Sequence, residues 1–180
     1  MEKHKKGTRN ALVLIVDDVE INREILGEIV TDMGYQTVLA ESGIQALERI
    51  RERPPNLVLT DISMPEMDGY ELCRRLKADV HTRDIPIIFI SAFDKTTDIV
   101  KGFELGGGDY ITKPFIPELV KARVNVHLKL YEATRKVTEA NRHLQISVNE
   151  QIRQLEQERR GVLYALVGVA VKNSQYDEKY

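Results

Sequence analysis

Mostly apolar runs of strand length recur along the chain, and three of them lead directly into polar residues. These runs are residues 11–16 before Asp17 and Asp18, residues 56–60 before Asp61, and residues 85–90 before Ser91. A strand that is apolar on both sides is typical of a parallel sheet, in which helices cover both faces. The runs therefore predict buried parallel strands, each of which opens into a loop at its carboxyl end.

Helical patterns separate the predicted strands. Apolar residues at helical spacing, with a glycine after them, predict the first helix: Ile21, Ile25 and Ile29 four apart, Leu26, Val30 and Met33 beside them, and then Gly34. Ser42 and Gln45 have the spacing of a capping box at the start of the second helix. Five strands that alternate with five helices predict a doubly wound α/β domain over residues 10–128. A flexible tail, residues 1–9, is expected before it.

Composition argues against several classes of function. The net charge of −2 gives no general attraction to nucleic acid or to acidic membranes. No apolar stretch is long enough to span a bilayer, and the basic N-terminus lacks the apolar core of a signal peptide. The single cysteine, Cys73, is expected in the core of a helix, and no disulfide can form within the chain. A reducing compartment, the cytoplasm, is therefore expected.

Carboxylates, a hydroxyl and an ammonium group come directly after the predicted strands. These residues are Asp17, Asp18, Asp61, Ser91 and Lys113. The carboxyl ends of parallel strands share one edge of the sheet, where α/β proteins bind ligands. Grouped carboxylates that stay ionised need a cation, and a site of oxygen ligands suits Mg²⁺. Taken singly, each residue is better explained as a turn, a helix cap or a solvated charge, and it is their shared position at strand ends that favours a site.

Four motifs stand in the order found in a known family. They are Val16-Asp17-Asp18, the run Thr60-Asp61-Ile62-Ser63-Met64-Pro65-Glu66-Met67-Asp68-Gly69, Ile90-Ser91-Ala92, and Asp109-Tyr110-Ile111-Thr112-Lys113-Pro114-Phe115. Residues 10–128 thereby resemble the receiver domain of two-component response regulators. The resemblance implies a five-stranded parallel sheet of order 2-1-3-4-5. It also implies a sensor histidine kinase or a phosphotransfer protein as partner.

The resemblance assigns a role to each residue of the predicted site. Asp61 would accept the phosphoryl group. Asp18 and Asp61 would bind Mg²⁺, or Mn²⁺ as an alternative ion, together with the backbone carbonyl of Ser63. Asp17 would act through metal-bound water. Lys113 would pair with the phosphoryl group.

The resemblance also implies a switch. Ser91 would hydrogen-bond the phosphoryl group, and Tyr110 would turn inward with it. The Lys113–Pro114 peptide bond would be cis. The chain departs from the family in two ways: Ser91 replaces the more usual Thr, and Gly107 replaces Ala, which is expected to loosen the loop before the last strand.

Residues 96–105 form the weakest predicted helix. Gly102 in its interior costs roughly 1 kcal/mol relative to Ala. Marginal elements are natural switches, so phosphorylation is predicted to reposition this helix. The alternative is that Gly102 only allows close packing.

A long C-terminal extension comes after the predicted domain. No Pro or Gly occurs between Pro117 and Arg160, which favours one continuous helix. A four-three spacing predicts the seam of a parallel dimeric coiled coil over residues 129–160, and a solvated single helix is the alternative. The seam consists of Leu130, Thr134, Val137, Asn141, Leu144, Val148, Gln151 and Leu155. Asn141 is expected to set its register.

Residues 161–180 begin with an apolar stretch that needs something to pack against. It extends the dimer or begins an output domain. A receiver succeeded by a coiled coil and an apolar helix weakly resembles regulators that carry an HD-type phosphodiesterase domain. Three interpretations remain open: a phosphorylation-controlled switch, a dimeric scaffold without phosphate chemistry, and a regulatory part of a larger enzyme.

Overall fold

The computed structural model of the protein describes residues 10–92 and 102–177, and it describes side chains as far as residue 166. Its elements, in chain order, are β1 (Leu12–Val16), α1 (Glu20–Asp32), β2 (Gln36–Ala40), α2 (Gly43–Glu52), β3 (Leu57–Asp61), α3 (Gly69–Ala78), β4 (Ile87–Ala92), β5 (Asp109–Lys113) and α4 (Pro117–Asp177). Residues 102–104 are also helical. The rest of the helix predicted at residues 96–105 lies outside the described residues.

The five strands form one sheet in the order β2-β1-β3-β4-β5, and every neighbouring pair is parallel. The predicted doubly wound α/β fold and its strand order are therefore confirmed. The order reverses between β1 and β3, and at such a reversal the connecting loops diverge and leave a crevice beyond the strand ends.

The three central strands, β1, β3 and β4, are buried on both faces over most of their length, as the apolar runs predict. On one face, Leu14 and Val16 of β1 pack in a cluster with residues of α2 and α3, including the fully buried Cys73. On the other face, Val13 and Ile15 pack with residues of α1 and of the first turns of α4. Alternate residues of one strand therefore supply two separate cores.

The buried face of α1 is only part of the predicted one. Leu26, Ile29 and Val30 are buried, whereas Ile21 and Ile25 are more than a third exposed. Steps of four residues exceed the 3.6-residue turn, so the isoleucine row drifts around the helix and leaves the face that contacts the sheet. The prediction of the helix was right, and the prediction of its core face was partly wrong.

Local signals place the helix ends correctly. Gly34, just after α1, has a φ of +83°, the left-handed conformation that ends a helix. The Ser42 hydroxyl accepts a hydrogen bond from the Gln45 amide (3.2 Å) at the start of α2. The Gln45 side chain reaches the amide of Glu41 (2.9 Å) rather than that of Ser42, so the capping box closes one residue early.

The described part of the chain divides into two compact units, one ending at Thr134 and one beginning at Arg135. The first contains the sheet and the start of α4, and the second is the remainder of that helix. The continuous helix predicted from Pro117 onward is confirmed, and it extends to Asp177. Among the described residues, no helix is both long and apolar enough to cross a membrane.

Candidate functional site

Strand register brings the predicted site residues to one edge of the sheet. Val16 pairs with Thr60, so Asp17 and Asp61 each come directly after a paired residue on neighbouring strands. Further along the sheet, Asp61 pairs with Ile90, and Ser91 pairs with Thr112, next to Lys113. Carboxylates, hydroxyl and ammonium group therefore come from four strands that end at the same level.

Asp17, Asp18 and Asp61 form an acidic cluster. Each offers a carboxylate oxygen, and these three oxygens lie within 4.8 Å of one another. Asp17 is fully buried and Asp61 is nearly so, whereas Asp18 is exposed. Lys113 Nζ lies 2.9 Å from Asp17 Oδ2 and 3.2 Å from Asp61 Oδ1. The ammonium group therefore joins the two buried carboxylates.

Burial and charge act in opposite directions on these groups. Burial raises the pKa of Asp61, the charge of Lys113 opposes this effect, and the charges of Asp17 and Asp18 add to it. Burial alone would lower the pKa of Lys113, but its hydrogen bonds and the charges of Asp17 and Asp61 raise it overall. Lys113 is therefore charged at neutral pH, and Asp61 is held beside it in a desolvated position.

The cluster fits a divalent cation. Three carboxylates and one ammonium group leave two formal negative charges at the site. All the side-chain ligands offered are oxygens, which suits a hard ion such as Mg²⁺. Receiver domains bind Mg²⁺ at an acidic pocket of this kind. Ser63, two residues after Asp61, lies in the loop that begins at the end of β3.

Two residues of α1 that the sequence did not single out support Asp17. Asn22 Nδ2 donates to both carboxylate oxygens of Asp17, at 3.0 and 3.1 Å. Arg23 Nη1 donates to the backbone carbonyl of Asp17 at 2.6 Å. The Val19 amide donates to Asp17 Oδ1 at 2.9 Å. The sequence indicated these roles of Asn22 and Arg23 only through their position in the first turn of the helix after the Asp pair.

The loop after Asp61 is shaped by two unusual backbone positions. Glu66 has a φ of +63°, which is uncommon for a residue with a Cβ. A Cβ added to Gly69 would lie 2.2 Å from the backbone oxygen of Asp61, so a side chain there would displace the strand end. Asp68 caps α3 by accepting from the Glu71 amide at 2.6 Å. The predicted Asp-Gly turn thus also sets the position of Asp61.

Ser91 and Tyr110 lie on adjacent strands beside the cluster. The Ser91 hydroxyl donates to the carbonyl of Ala92 at 3.3 Å. Tyr110 is buried, with its ring 5.3 Å from that of Phe89 and 5.6 Å from that of Phe103. Tyr70 lies 5.2 Å beyond Phe89, so the four rings form a row in the order Tyr70, Phe89, Tyr110 and Phe103.

Two glycines make room for these rings. A Cβ added to Gly102 would lie 1.8 Å from Tyr110 Oη, and one added to Gly107 would lie 2.2 Å from Phe89 Cε2. Close packing, one of the two explanations offered for Gly102, is therefore observed. Close packing also explains the glycine at position 107, because a side chain there would overlap the Phe89 ring.

A second polar cluster joins β5 to α4. Arg123 Nη1 contacts Asp109 Oδ1, and His127 Nε2 lies 3.2 Å from Asp109 Oδ2. Burial alone would raise the pKa of Asp109, but hydrogen bonds from Arg123, the Tyr110 amide and His127 lower it overall. The Lys113–Pro114 bond at the end of β5 is cis, as predicted.

The fold and the site together define a doubly wound α/β domain with an acidic cluster at the carboxyl edge of its parallel sheet. The family model for the response regulator receiver domain matches residues 13–125. The chain belongs to the response regulator receiver family. Receiver domains interact with histidine kinases or phosphotransfer proteins and are not themselves enzymes.

Two curated relatives of different kinds match the chain. The chain is 36% identical over 158 residues to a probable cyclic di-GMP phosphodiesterase of Vibrio cholerae, covering 88% of this chain and 36% of that protein. It is 39% identical over 122 residues to the DNA-binding response regulator MtrA of Mycobacterium bovis, covering 68% of this chain and 52% of that protein. The chain therefore spans about a third to a half of these curated relatives.

A solved structure agrees with the fold. A response regulator of Chloroflexus aurantiacus matches with a TM-score of 0.65 and 34% identity, covering 67% of this chain and 98% of that chain. The match extends over nearly the whole of a structure that is little more than a receiver domain. The five-stranded sheet and its helices are thus the shared part.

Proposed function

We propose that Asp61 accepts a phosphoryl group from a sensor histidine kinase or a phosphotransfer protein. The observation that carries this proposal is a nearly buried carboxylate bonded to a charged lysine inside an acidic cluster. Neither a surface aspartate nor a helix cap requires such surroundings. The intact set of groups also argues against a scaffold without phosphate chemistry.

The transfer exchanges one bond for another. A carboxylate oxygen of Asp61 attacks the phosphorus of phosphohistidine, a P–O bond forms, and the P–N bond breaks with its electron pair returning to the imidazole nitrogen. The desolvated carboxylate has a raised pKa, which makes its ionised form a stronger nucleophile. Lys113, bonded to Asp61 Oδ1, stabilises negative charge that arrives with the phosphoryl oxygens.

Mg²⁺ is the proposed cofactor, and Mn²⁺ is an alternative with similar ligand preferences. Asp18 and Asp61 would hold the ion through their side chains, Ser63 through its backbone carbonyl, and Asp17 through water. The bound ion supplies positive charge that offsets the charge of the phosphoryl group. Asn22 keeps the Asp17 carboxylate fixed through two hydrogen bonds.

Ser91 is the proposed donor to a phosphoryl oxygen, and Tyr110 the residue that couples this contact to the segment that begins at residue 96. Tyr110 touches Phe103, which is half exposed, and it fills the space beside Gly102. A shift of the Tyr110 ring therefore requires residues 102–103 to shift as well. This coupling is the proposed route by which phosphorylation changes the exposed face.

Intact-mass measurement after incubation with acetyl phosphate and Mg²⁺ tests the chemistry. The parent chain is expected to gain one phosphoryl group, and Asp61→Asn none. Glu71→Gln, on α3, is a matched control that removes a carboxylate without touching the cluster. Hydroxylamine should remove the adduct, because it cleaves acyl phosphates. An adduct that persists in Asp61→Asn, or one that resists hydroxylamine, would exclude Asp61 as the acceptor.

The C-terminal helix is proposed to pair with a second copy in a parallel coiled coil. Apolar seam residues of α4 are each at least half exposed in the single chain: Leu130, Val137, Leu144, Val148 and Leu155. Asn141 interrupts them at a core position, where it would pair with itself and fix the register. A solvated single helix would leave this apolar row in water.

Sedimentation equilibrium tests the pairing. The parent chain is expected to be a dimer at micromolar concentration, and Leu144→Asp a monomer because it places like charges in the seam. Ile146→Asp, on an exposed position outside the seam, is the matched control and should remain dimeric. A monomeric parent chain at the highest accessible concentration would contradict the proposal.

A second candidate function is that this region regulates an enzyme. The match to the probable cyclic di-GMP phosphodiesterase covers 158 residues, more than the receiver domain contains, and so it includes part of α4. That relative is therefore similar in the helical linker as well as in the receiver. Reading the gene beyond Tyr180 tests this candidate, and a stop codon directly after it would remove it.

A further inference from the structure

Two four-three patterns overlap on the second half of α4. The first continues the seam as Leu144, Val148, Gln151, Leu155, Glu158 and Val162. The second leaves it at Val148 and runs Ile152, Leu155, Arg159, Val162 and Leu166. Both patterns contain Val148, Leu155 and Val162. They differ in the residues between these positions, which are Gln151 and Glu158 in the first pattern and Ile152 and Arg159 in the second.

The second pattern is the more apolar of the two. Ile152 and Leu166 are 49% and 62% exposed in the single chain, so both have a large surface to bury. The first pattern instead places Gln151 and Glu158 at core positions. Burial of apolar surface is what holds a coiled coil together, so the second pattern gives the stronger contact beyond Val148.

We infer that the contact surface with a second copy of this chain changes from the first pattern to the second between Val148 and Ile152. This inference rests on the paired helix proposed above. The change makes two successive steps of four residues, Leu144 to Val148 to Ile152, which amounts to a four-residue insertion in a heptad repeat. Such an insertion locally unwinds the supercoil.

Charge favours the same assignment. In an uninterrupted heptad, Glu158 would face Glu158 of the second copy across the core, which places two carboxylates against each other. In the shifted pattern, Glu158 moves to the flank and Arg159 enters the seam next to it. An arginine at such a position can reach the carboxylate of the second copy while its stem covers apolar surface. Arg159 then faces Arg159 of the second copy, but its longer side chain can carry the charge out of the core to the flanking Glu158, whereas the shorter Glu158 side chain cannot leave the core in the same way. The shifted pattern is therefore the less repulsive of the two.

The change of pattern alters how the end of the helix faces its partner. A step of four residues exceeds the heptad average of 3.5 by half a residue. The seam therefore rotates around the helix by roughly 50°, half of the angle between consecutive helical residues. The apolar stretch after Gly161 then continues the shifted seam through Val162 and Leu166. The change of pattern after Val148 is thus the place where the coiled coil has two competing registers.

Oxidative cross-linking of single-cysteine variants of the full chain tests the inference. Cysteines that face each other in a parallel coil can form a disulfide, because the bond needs Cα atoms within about 7 Å. Leu144→Cys is the positive control for pairing itself. The decisive variants are two adjacent pairs, Gln151→Cys with Ile152→Cys, and Glu158→Cys with Arg159→Cys. Cys73 is fully buried, so the parent chain serves as the blank.

The shifted seam predicts efficient dimer formation at residues 152 and 159 and at least about tenfold slower reaction at 151 and 158. The reverse order would overturn the register change and leave the dimer intact. Absence of cross-linking at residue 144 would overturn the parallel dimer and the register change together. The two failures are therefore distinguishable.

Leucine substitutions give an independent measurement at the same positions. Arg159→Leu is expected to tighten the dimer by about tenfold or more, since it adds an apolar pair to the seam. Glu158→Leu is expected to change the dissociation constant by less than about threefold. A larger gain for Glu158→Leu than for Arg159→Leu would show an uninterrupted heptad.

Discussion

Gly102→Ala sets two effects against each other. A Cβ at this position would lie 1.8 Å from Tyr110 Oη, 2.8 Å from Tyr110 Cζ and 2.9 Å from Phe89 Cε2. No carbon atom fits at these distances, so the Tyr110 ring must leave its place. The same substitution favours the helical conformation of residues 102–104.

The relative size of the two effects decides whether Gly102→Ala stabilises or destabilises the protein. Replacing Gly by Ala in a helix contributes about 1 kcal/mol of stability. Moving the buried Tyr110 ring into water costs about 1.5–3 kcal/mol, and losing its contacts with Phe89 and Phe103 costs a further ~0.5–1.5 kcal/mol. The net expectation is a loss of about 1–3.5 kcal/mol in the free energy of unfolding. Helix propensity alone would give a gain.

Urea unfolding at one protein concentration measures the effect, and Tyr110→Leu provides the decisive background. Leucine has no atoms in place of Oη and Cζ, so Gly102→Ala in that background should be neutral or stabilising by up to about 1 kcal/mol. Glu104→Ala, in the same turn but exposed, is the control for helix propensity. If Gly102→Ala stabilises the parent chain, or costs as much in the Tyr110→Leu background, steric coupling between Gly102 and Tyr110 is refuted.

Three further variants test other contacts. Gly107→Ala should cost about 1–3 kcal/mol of unfolding free energy, because its Cβ would overlap the Phe89 ring. Most of that cost should disappear in the Phe89→Leu background, and an equal cost in both backgrounds would contradict the packing. Asp109→Asn should cost about 1 kcal/mol of unfolding free energy at neutral pH. Because the pKa of Asp109 is lowered in the folded protein, the difference in stability between parent and variant should shrink as the pH falls below 3.8, and a constant difference would contradict the ionic contacts of Asp109. Lys113→Met removes the cation between two carboxylates, so Mg²⁺ should raise the midpoint of thermal unfolding more in the variant than in the parent, and an equal or smaller rise would count against the site.

The fold could be predicted from the sequence because its three central strands are buried on both faces. Such strands are continuous apolar runs, and the loops at their carboxyl ends carry the site residues. Parallel strands bring those loops to one edge, so the cluster of Asp17, Asp18 and Asp61 could be expected from topology alone. The same reasoning could not choose the core face of α1, because several faces of that helix are apolar.

Contacts that depend on how the elements pack could not be predicted, even between residues close in sequence. Asn22 binds Asp17 only because α1 begins directly beside the end of β1, and no local pattern reports that geometry. The glycines at 102 and 107 were ambiguous for the same reason. A missing Cβ has one meaning in a helix and another against an aromatic ring, and only the packed structure distinguishes them.

The aromatic row limits where a signal from the site can travel. Phe89 and Ser91 are two residues apart on β4, so they share one face of the sheet. Tyr110 pairs with Phe89 and packs in the same core, whereas α1 and the start of α4 pack in the other. A group that binds the Ser91 hydroxyl therefore lies on the face of the sheet that carries Phe89, one of the two inner rings of the row. Because Tyr110 Oη occupies the space that a Cβ of residue 102 would fill, a movement of that ring toward Gly102 must displace residues 102–103.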